Sequence, residues 1–351
     1  MNLRRRTVLV TGVSGNLGSR LLPFLSDFDV VGVDVRPPAL PAGQLEFHSI
    51  DLGQESSCRA MTDLLRQSGA SSIVHLSFIL DPQRSGVLDL ERMWQINVAG
   101  TARVMEAISV VNRTGGGVKQ FIFPSSVSAY GPETPGPVRE DAPLQAYGLP
   151  YAIHKKESDE VVRYRTESLG DCRVYILRPH IFAGRSMQNY MVGVLRGTPA
   201  GKSKRAARMR AEGKRLPLLL PRGKEYLGKK VQFVHVDDMA RLLTYLLYRP
   251  ATDPPMTILN VAGRGDALTF EQCAAIAHAQ VKRAPNRATF ALALRTLWKL
   301  GISSIPPEAA PYLIGSYTMD TTRLQEFLGQ HYPDVIRYTI EDALRDTFEQ
   351  N

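Results

Sequence analysis

The chain has 351 residues, of which 44% are apolar and 22% charged, with a formal net charge of +9. That length and balance suit one large or two intimate globular domains with an ample core, and no run is long and apolar enough to span a bilayer. The basic start Arg4-Arg5-Arg6 leads into Thr7–Val10, too short for the apolar stretch of a signal peptide. Cys58, Cys172 and Cys273 have no metal or redox spacing, so a reducing cytoplasm is the expected setting.

The positive charge is local. Between Lys202 and Lys230 lie eleven lysines and arginines, opposed only by Glu212 and Glu225, so this segment carries the whole net charge of +9. A high overall charge is therefore no sign of a general polyanion-binding surface. The segment has no interleaved aromatic platform, which argues against nucleic acid. An anionic small-molecule substrate would explain the charges. So would peripheral contact of residues 202–220 with an anionic membrane, because Leu216-Pro217-Leu218-Leu219-Leu220 follows them directly. A solvated loop is the third explanation.

In chain order, apolar β-rich runs alternate with helical patterns, which predicts a parallel sheet. Thr7–Thr11 reads as a strand, Gly18–Phe28 as a helix, and Val30–Val35 and Ser72–Leu76 as strands. Leu90–Val111 has helical periodicity, Lys119–Pro124 reads as a buried strand, Tyr151–Leu169 as a helix and Arg173–Leu177 as a strand. After Pro179, Gly, Pro and basic residues dominate as far as Lys230. A strand at Val231–Val236, a helix at Asp238–Tyr248 and a strand at Thr257–Val261 follow. Thr269 and Gln272 form a capping box for a helix running to Ala279. Phe290–Leu300 and Ile340–Phe348 close the chain as helices. The expected architecture is α/β: a doubly wound parallel sheet of the Rossmann type over 1–178, with a smaller α/β substrate-binding region over 179–351. The strands near 231–236 and 257–261 are expected to return to the main fold.

The segment Thr11-Gly12-Val13-Ser14-Gly15-Asn16-Leu17-Gly18 lies between the first strand and the first helix. Its glycines permit a tight turn, close approach of backbone to a pyrophosphate, and close helix–strand packing. The helix N-terminus offers free N–H groups and a positive dipole end to phosphates. Asp34 ends the second strand about twenty residues on, the distance at which a carboxylate accepts both ribose hydroxyls of a dinucleotide. A carboxylate repels a 2′-phosphate, so NAD is expected over NADP, with Arg36 leaving NADP open.

Phe121-Ile122-Phe123-Pro124-Ser125-Ser126 is a strand ending in hydroxyls, where side chains face the ligand crevice of such a sheet. Tyr151 and Lys155, four residues apart, share one helix face. A phenol titrates near pH 10, and a nearby ammonium would lower that value. Tyr151 could then exchange a proton with a substrate hydroxyl or carbonyl while hydride moves to or from a nicotinamide. Ser126 could hold the same oxygen. His75 and His235 read as hydrogen-bonded core histidines, and Asp237 and Asp238 as caps of the next helix.

Taken together, these residues resemble the extended short-chain dehydrogenase/reductases, the epimerase/dehydratase group, over nearly the whole chain. The resemblance rests on Gly12-x-x-Gly15-x-x-Gly18, Asp34, Asp51-Leu52, Val74-His75-Leu76-Ser77 and Asn97-Val98-x-Gly100-Thr101. It extends through Ser125-Ser126, Tyr130-Gly131, Tyr151-x-x-x-Lys155, Leu177-Arg178-Pro179 and Val234-His235-Val236-Asp237-Asp238. It implies that Asn16 and Leu17 line the pyrophosphate and that Asp51 and Leu52 lie beside the adenine. It implies further that Ser77 flanks the nicotinamide, Asn97 belongs to the cofactor-side polar network, Lys155 bonds the nicotinamide ribose, and His180 sits near the ring. It also implies a homodimer paired through Leu90–Val111 and Tyr151–Leu169.

Two departures narrow the chemistry. Ser126 is followed by Val127-Ser128 where dehydrating relatives carry an acidic pair. Ile181 stands where many nucleotide-sugar epimerases carry Asn. The reading is thus an NAD(P)-dependent oxidoreductase acting at a secondary alcohol or ketone. Two alternatives stay open: an NAD-dependent nucleotide-sugar epimerase, and a non-catalytic dinucleotide-sensing protein.

Overall fold

The computed structural model describes residues 5–39, 45–80, 89–185, 187–249 and 252–349. Its strands are β1 (Arg6–Thr11), β2 (Phe28–Asp34), β3 (Glu46–Ser49), β4 (Ser72–His75), β5 (Gln120–Pro124), β6 (Arg173–Pro179) and β7 (Ile181–Ala183). They continue as β8 (Leu218–Pro221), β9 (Lys230–Val231), β10 (Phe233–His235), β11 (Met256–Val261), β12 (Leu268–Thr269) and β13 (Val281–Ala284). Seven of them form one parallel sheet in the order β3-β2-β1-β4-β5-β6-β11. The chain grows outward from β1 in both directions, so the β1/β4 boundary is the switch point where ligands bind in such folds.

Alternation along each strand builds a core on both faces of the sheet. Val8, Val10, Val74, Ile122, Tyr175 and Leu177 point to one side and pack with Met239, Leu243 and Leu324. Leu9, Ile73, Phe121, Phe123, Val174 and Ile176 point to the other and pack with Met61, Val104, Ile108 and Val162. A third cluster, from Leu149 and Leu195 through Phe233, Phe290 and Leu344, fills the C-terminal part.

The helix expected over Gly18–Phe28 is shorter. It spans Asn16–Leu21, tightens to a 3₁₀ turn at Leu22–Leu25, and Phe28 already opens β2. Pro23 supplies no N–H to continue the α-helical ladder. The predicted helix Leu90–Val111 is interrupted by a π-helical turn at Gln95–Ala99, between Leu90–Trp94 and Gly100–Arg113. The single strand expected at Val231–Val236 is split into β9 and β10. Gln232 is turned out of register to clasp the Met319 backbone through both ends of its amide, and β9 and β10 pair with β12 and β7 rather than with the main sheet. β11 does join that sheet, beside β6. The capping box of Thr269 and Gln272 is present, but its helix ends at Ile276. The stretch between Pro179 and Lys230 is more ordered than its composition suggests, with helices Tyr190–Arg196 and Lys204–Ala211 and the strand β8.

Candidate active site

Gly12 leaves β1 with φ of +70°, a left-handed conformation that favours glycine. A side chain here would also strike the Leu76 carbonyl carbon and the Ser77 nitrogen at 2.6 Å, so the turn lies hard against the end of β4. Gly18 is closed off too, because an added Cβ would collide with the Gly12 carbonyl oxygen. The first helix follows Gly15 with no side chain capping it, so its N-terminus presents a positive dipole end at the turn. Asp34 braces the turn, accepting hydrogen bonds from the Ser14 N–H at 3.1 Å and the Val35 N–H at 2.7 Å.

This turn forms one wall of a cavity of about 320 Å³. Gly12, Gly15, Asn16, Leu17 and Gly18 line it on the β1 side, Pro124 to Ser128 at the end of β5, and Tyr151 and Lys155 from the helix Pro150–Arg165. Pro179 to Phe182 line it after β6, and Met187 to Met191 with Ala309, Tyr312, Leu313 and Tyr317 close the far side. The sequence pattern thus brings the glycine turn, Ser126, Tyr151, Lys155 and His180 to one space. Among the described lining residues, Lys155 is the only lysine, arginine or carboxylate. No residue from 202 to 230 lines the cavity, so the basic segment does not serve as its wall.

The Lys155 ammonium is buried at 6% exposure. It donates to the Pro124 carbonyl at 2.7 Å and sits 3.6 Å from the centroid of the Phe78 ring, a cation–π contact. Burial pushes its pKa down to about 7, with Asp159 acting in the opposite sense. Tyr151 meets Phe78 edge-on at 5.7 Å between centroids. The expected lowering of the Tyr151 pKa by Lys155 is not found. Burial raises the phenol to about 12, and only its hydrogen bond with Ser126 opposes the rise. Lys155 directs its charge to the Pro124 carbonyl and the Phe78 ring, and its Nζ is 6.0 Å from the Tyr151 ring centroid. Ser126 is itself fixed, its hydroxyl accepting from the Ser128 N–H at 3.1 Å and the Ser128 hydroxyl at 3.0 Å. Beside it, the buried Ser125 hydroxyl has no hydrogen-bond partner among the described residues. An orphaned hydroxyl on a cavity wall suits a polar ligand group, and with the glycine cradle it makes the site fit a dinucleotide.

A buried polar framework aims the helix Pro150–Arg165. Arg178 grips Asp159 with two 2.9 Å hydrogen bonds and also donates to the Tyr130 hydroxyl at 2.7 Å and the Glu140 carbonyl at 2.8 Å. His180 stacks on Tyr317 at 5.4 Å with planes 3° apart. Its Nδ1 accepts from the Ile181 N–H while Nε2 lies 2.7 Å from the Tyr317 carbonyl, and burial lowers its pKa to about 4. Phe78, Tyr312 and Tyr317 carry no sequence signal that marks them for this cavity, whereas Ser125 is one of the strand-end hydroxyls of the sequence pattern.

Other expected site residues lie apart from the cavity lining. Asp51 pairs with Arg92 and accepts from the Gly53 N–H at 3.0 Å, and Leu52 is in the core. Ser77 stands between the lining residues Leu76 and Phe78, its N–H donating to the Thr11 hydroxyl at 3.3 Å. Asn97 is fully buried and pins Ile79, accepting from its N–H at 2.7 Å and donating to its carbonyl at 3.1 Å. His75 is a core histidine held between Thr11 and Thr101, its pKa lowered by burial to about 3. His235, not Asp237 or Asp238, caps the helix Val236–Leu247. Asp238 instead receives the Arg337 and Tyr338 N–H groups.

The sequence profile described as the NAD dependent epimerase/dehydratase family matches residues 8–262. An uncharacterised epimerase/dehydratase of Staphylococcus aureus (strain USA300) is 22% identical over 173 residues, 47% of this chain and 50% of that protein. The chain thus spans about half the length of the curated relatives it matches. MoeE5 in complex with UDP-glucuronic acid and NAD is similar with a TM-score of 0.66, 21% identity and 97% of each chain covered. The UDP-glucose 4-epimerase of Thermus thermophilus, in complex with NAD, gives a TM-score of 0.65 at 19% identity, again over 97% of each chain. The UDP-glucuronic acid 4-epimerase of Bacillus cereus gives 0.66 at 18%, over 97% of this chain and 98% of its own. These likenesses agree with the seven-stranded Rossmann-type sheet, and the profile match over most of the sequence shows that this chain belongs to the NAD dependent epimerase/dehydratase family of enzymes.

Proposed function

We propose that the protein exchanges hydride between NAD and a secondary alcohol or ketone, with Tyr151 as the proton-transfer residue. The observation that carries this reading is the convergence of Ser126, Tyr151 and Lys155 on one cavity with the glycine turn. Gly12, Gly15, Asn16, Leu17 and Gly18 would hold the pyrophosphate, and Asp34 the adenosine ribose, which favours NAD over NADP. Asp51 and Leu52 would border the adenine. Ser77 and Asn97 would shape the nicotinamide side, Asn97 by fixing Ile79. His180 would back the ring. When bound, NAD supplies the hydride acceptor or donor. Ser126 would orient the substrate oxygen, Tyr151 would take or return its proton, and Lys155 would hold the nicotinamide ribose and favour the phenolate. Residues 1–178 would serve the cofactor and 179–351 the substrate, with β11 reinforcing the first part.

A second reading is a nucleotide-sugar epimerase, favoured by the UDP-sugar complexes among the similar structures. A small anionic substrate fits that reading, although Lys155 alone among the described lining residues could meet a diphosphate. A homodimer through the helices Gly100–Arg113 and Pro150–Arg165 is part of the proposal, and Tyr164, 89% exposed, lies on the latter helix.

The test is a panel of hydroxy compounds with purified protein and free NAD, followed by NADH absorbance, with native mass spectrometry in parallel. Net NADH formation supports the first reading. Tightly held NAD with interconversion of a UDP-sugar and no net NADH supports the second. A protein that binds NAD and turns over nothing in either assay overturns both.

A further inference from the structure

The helix Arg287–Lys299 departs from the usual pattern of a surface helix. Its inner face is anchored in the core by Phe290 and Leu294. An amphipathic helix ordinarily turns charged and polar groups outward. Here Leu292 is 62% exposed, Trp298 38% and the following Leu300 51%, interspersed with the exposed cations Arg295 and Lys299. From Val281 to Lys299 there are five lysines and arginines and no carboxylate.

The basic helix Lys204–Ala211 is tied to the end of this helix. The Gly201 N–H donates to the Ile302 carbonyl at 2.9 Å and the Ser203 N–H to the Gly301 carbonyl at 3.0 Å. Arg210 and Arg215 are used within the fold, on the carbonyls of Gly201 and Arg196. Arg208 and Lys214 share Glu212. Lys202, Lys204 and Arg205 are exposed and make no ion pair among the described residues. Residues 201–203 thus bring these cations to the end of the helix that carries Trp298 and leads into Leu300, while Leu292 stands two turns back on the side of Lys299. Of the leucines at 216–220, Leu218 and Leu220 are buried in β8 at 1% exposure each, and Leu216 and Leu219 are half-buried.

We propose that this face docks on the surface of an anionic lipid bilayer. Cations near such a surface are attracted by its negative potential. Tryptophan and leucine side chains gain by entering the headgroup–acyl boundary. Lysine and arginine stems can lie along apolar surface with their charges in the headgroups. A nucleic acid would use the charges but not Leu292 or Leu300, so a bilayer is the occupant that uses both halves of the surface. The proposal is independent of the reaction assigned to the cavity.

The full-length protein is to be sedimented with vesicles of phosphatidylcholine alone and of phosphatidylcholine with phosphatidylglycerol. Binding is expected only to the second, and weaker at high salt. Replacing Lys204→Glu and Arg205→Glu together should weaken it about 25-fold or more, at roughly fivefold per cation lost. Trp298→Ser should weaken binding while leaving its salt dependence in place. The chain has two tryptophans, so a Trp94→Phe background makes Trp298 the only reporter, and its emission should shift to the blue on anionic vesicles. Absence of sedimentation with anionic vesicles overturns the proposal. So does salt-sensitive binding that leaves Trp298 emission unmoved, the result a nucleic acid or acidic protein site would give.

Discussion

The Lys155 ammonium donates to the Pro124 carbonyl at 2.7 Å while lying 3.6 Å from the Phe78 ring centroid, against 6.0 Å from that of Tyr151. Burial depresses the Lys155 pKa from its usual 10.5 to about 7. Between those values the unfolded chain holds a proton that the folded chain lacks, so stability rises with pH through this window. Below pH 7 the folded protein must bury an ammonium and is least favoured. Lys155→Met removes that dependence. Calorimetry at about pH 6 and about pH 9 should show the variant gaining more over the wild type at the lower pH, by about 1–2 °C for each kcal/mol relieved. Parallel pH profiles for the two proteins would show that Lys155 does not titrate in this range.

Tyr151 has the complementary behaviour. Burial lifts its phenol to about 12, against the pull of the Ser126 hydrogen bond. In the alcohol-oxidising direction the phenolate is the active base, so kcat/KM is expected to climb with pH through the neutral range. Tyr151→Phe should cost about 10²–10⁴ in kcat, the usual contribution of a positioned acid or base, and should leave NAD affinity within about twofold. Unchanged turnover in that variant would refute the role of the phenol.

The sheet was legible because its signal is carried by period and punctuation. Leu9 against Val8 and Val10, and Phe121 and Phe123 against Ile122, already imply two covered faces, and Gly12 and Asp34 mark the strand ends. Ser126 was marked by its strand end and Tyr151 with Lys155 by their four-residue spacing on one helix face, and all three line one cavity. The far wall was not. Phe78, Tyr312 and Tyr317 enter the cavity from a strand end and from a segment more than two hundred residues later, and nothing local distinguishes them from core aromatics. The electrostatics were also hidden, since the direction of the Lys155 ammonium depends on a carbonyl that no residue pattern reveals. The basic segment stayed ambiguous for a related reason. Its charges alone could not choose between an anionic substrate, a membrane surface and a solvated loop, because the hydrogen bonds of Gly201 and Ser203 that fasten it to Ile302 and Gly301 leave no sequence signal.

Gly12 offers a test of the cofactor cradle. Its backbone is at φ +70° and a methyl group would meet Leu76 and Ser77 backbone atoms at 2.6 Å. Neither obstacle is a side chain that can swing away. Gly12→Ala should therefore destabilise the fold by about 1–3 kcal/mol and weaken NAD binding by at least about tenfold, because the turn must shift to relieve the contact. Isothermal titration with NAD, on protein whose folding is checked by circular dichroism, measures this. Wild-type affinity in a folded variant would show that the turn does not approach the cofactor.

Arg178 and Asp159 are both fully buried and joined by two hydrogen bonds of 2.9 Å. A pair of this kind is costly to break because removing one partner strands the other charge in a dry interior. Arg178→Met should lower stability by about 3–5 kcal/mol, and Asp159→Leu by a similar amount. The double variant should recover part of the loss, since it leaves no unpaired charge. Arg178 also holds Tyr130 and the Glu140 carbonyl, which sets the limit of that recovery. Asp159 lies one helical turn beyond Lys155, so the pair also fixes the helix that presents Tyr151 and Lys155 to the cavity. The double variant is accordingly expected to regain stability more fully than turnover. Chemical denaturation and initial rates on the three variants separate the two effects. Equal recovery of both would mean that packing alone, without the ion pair, orients the helix.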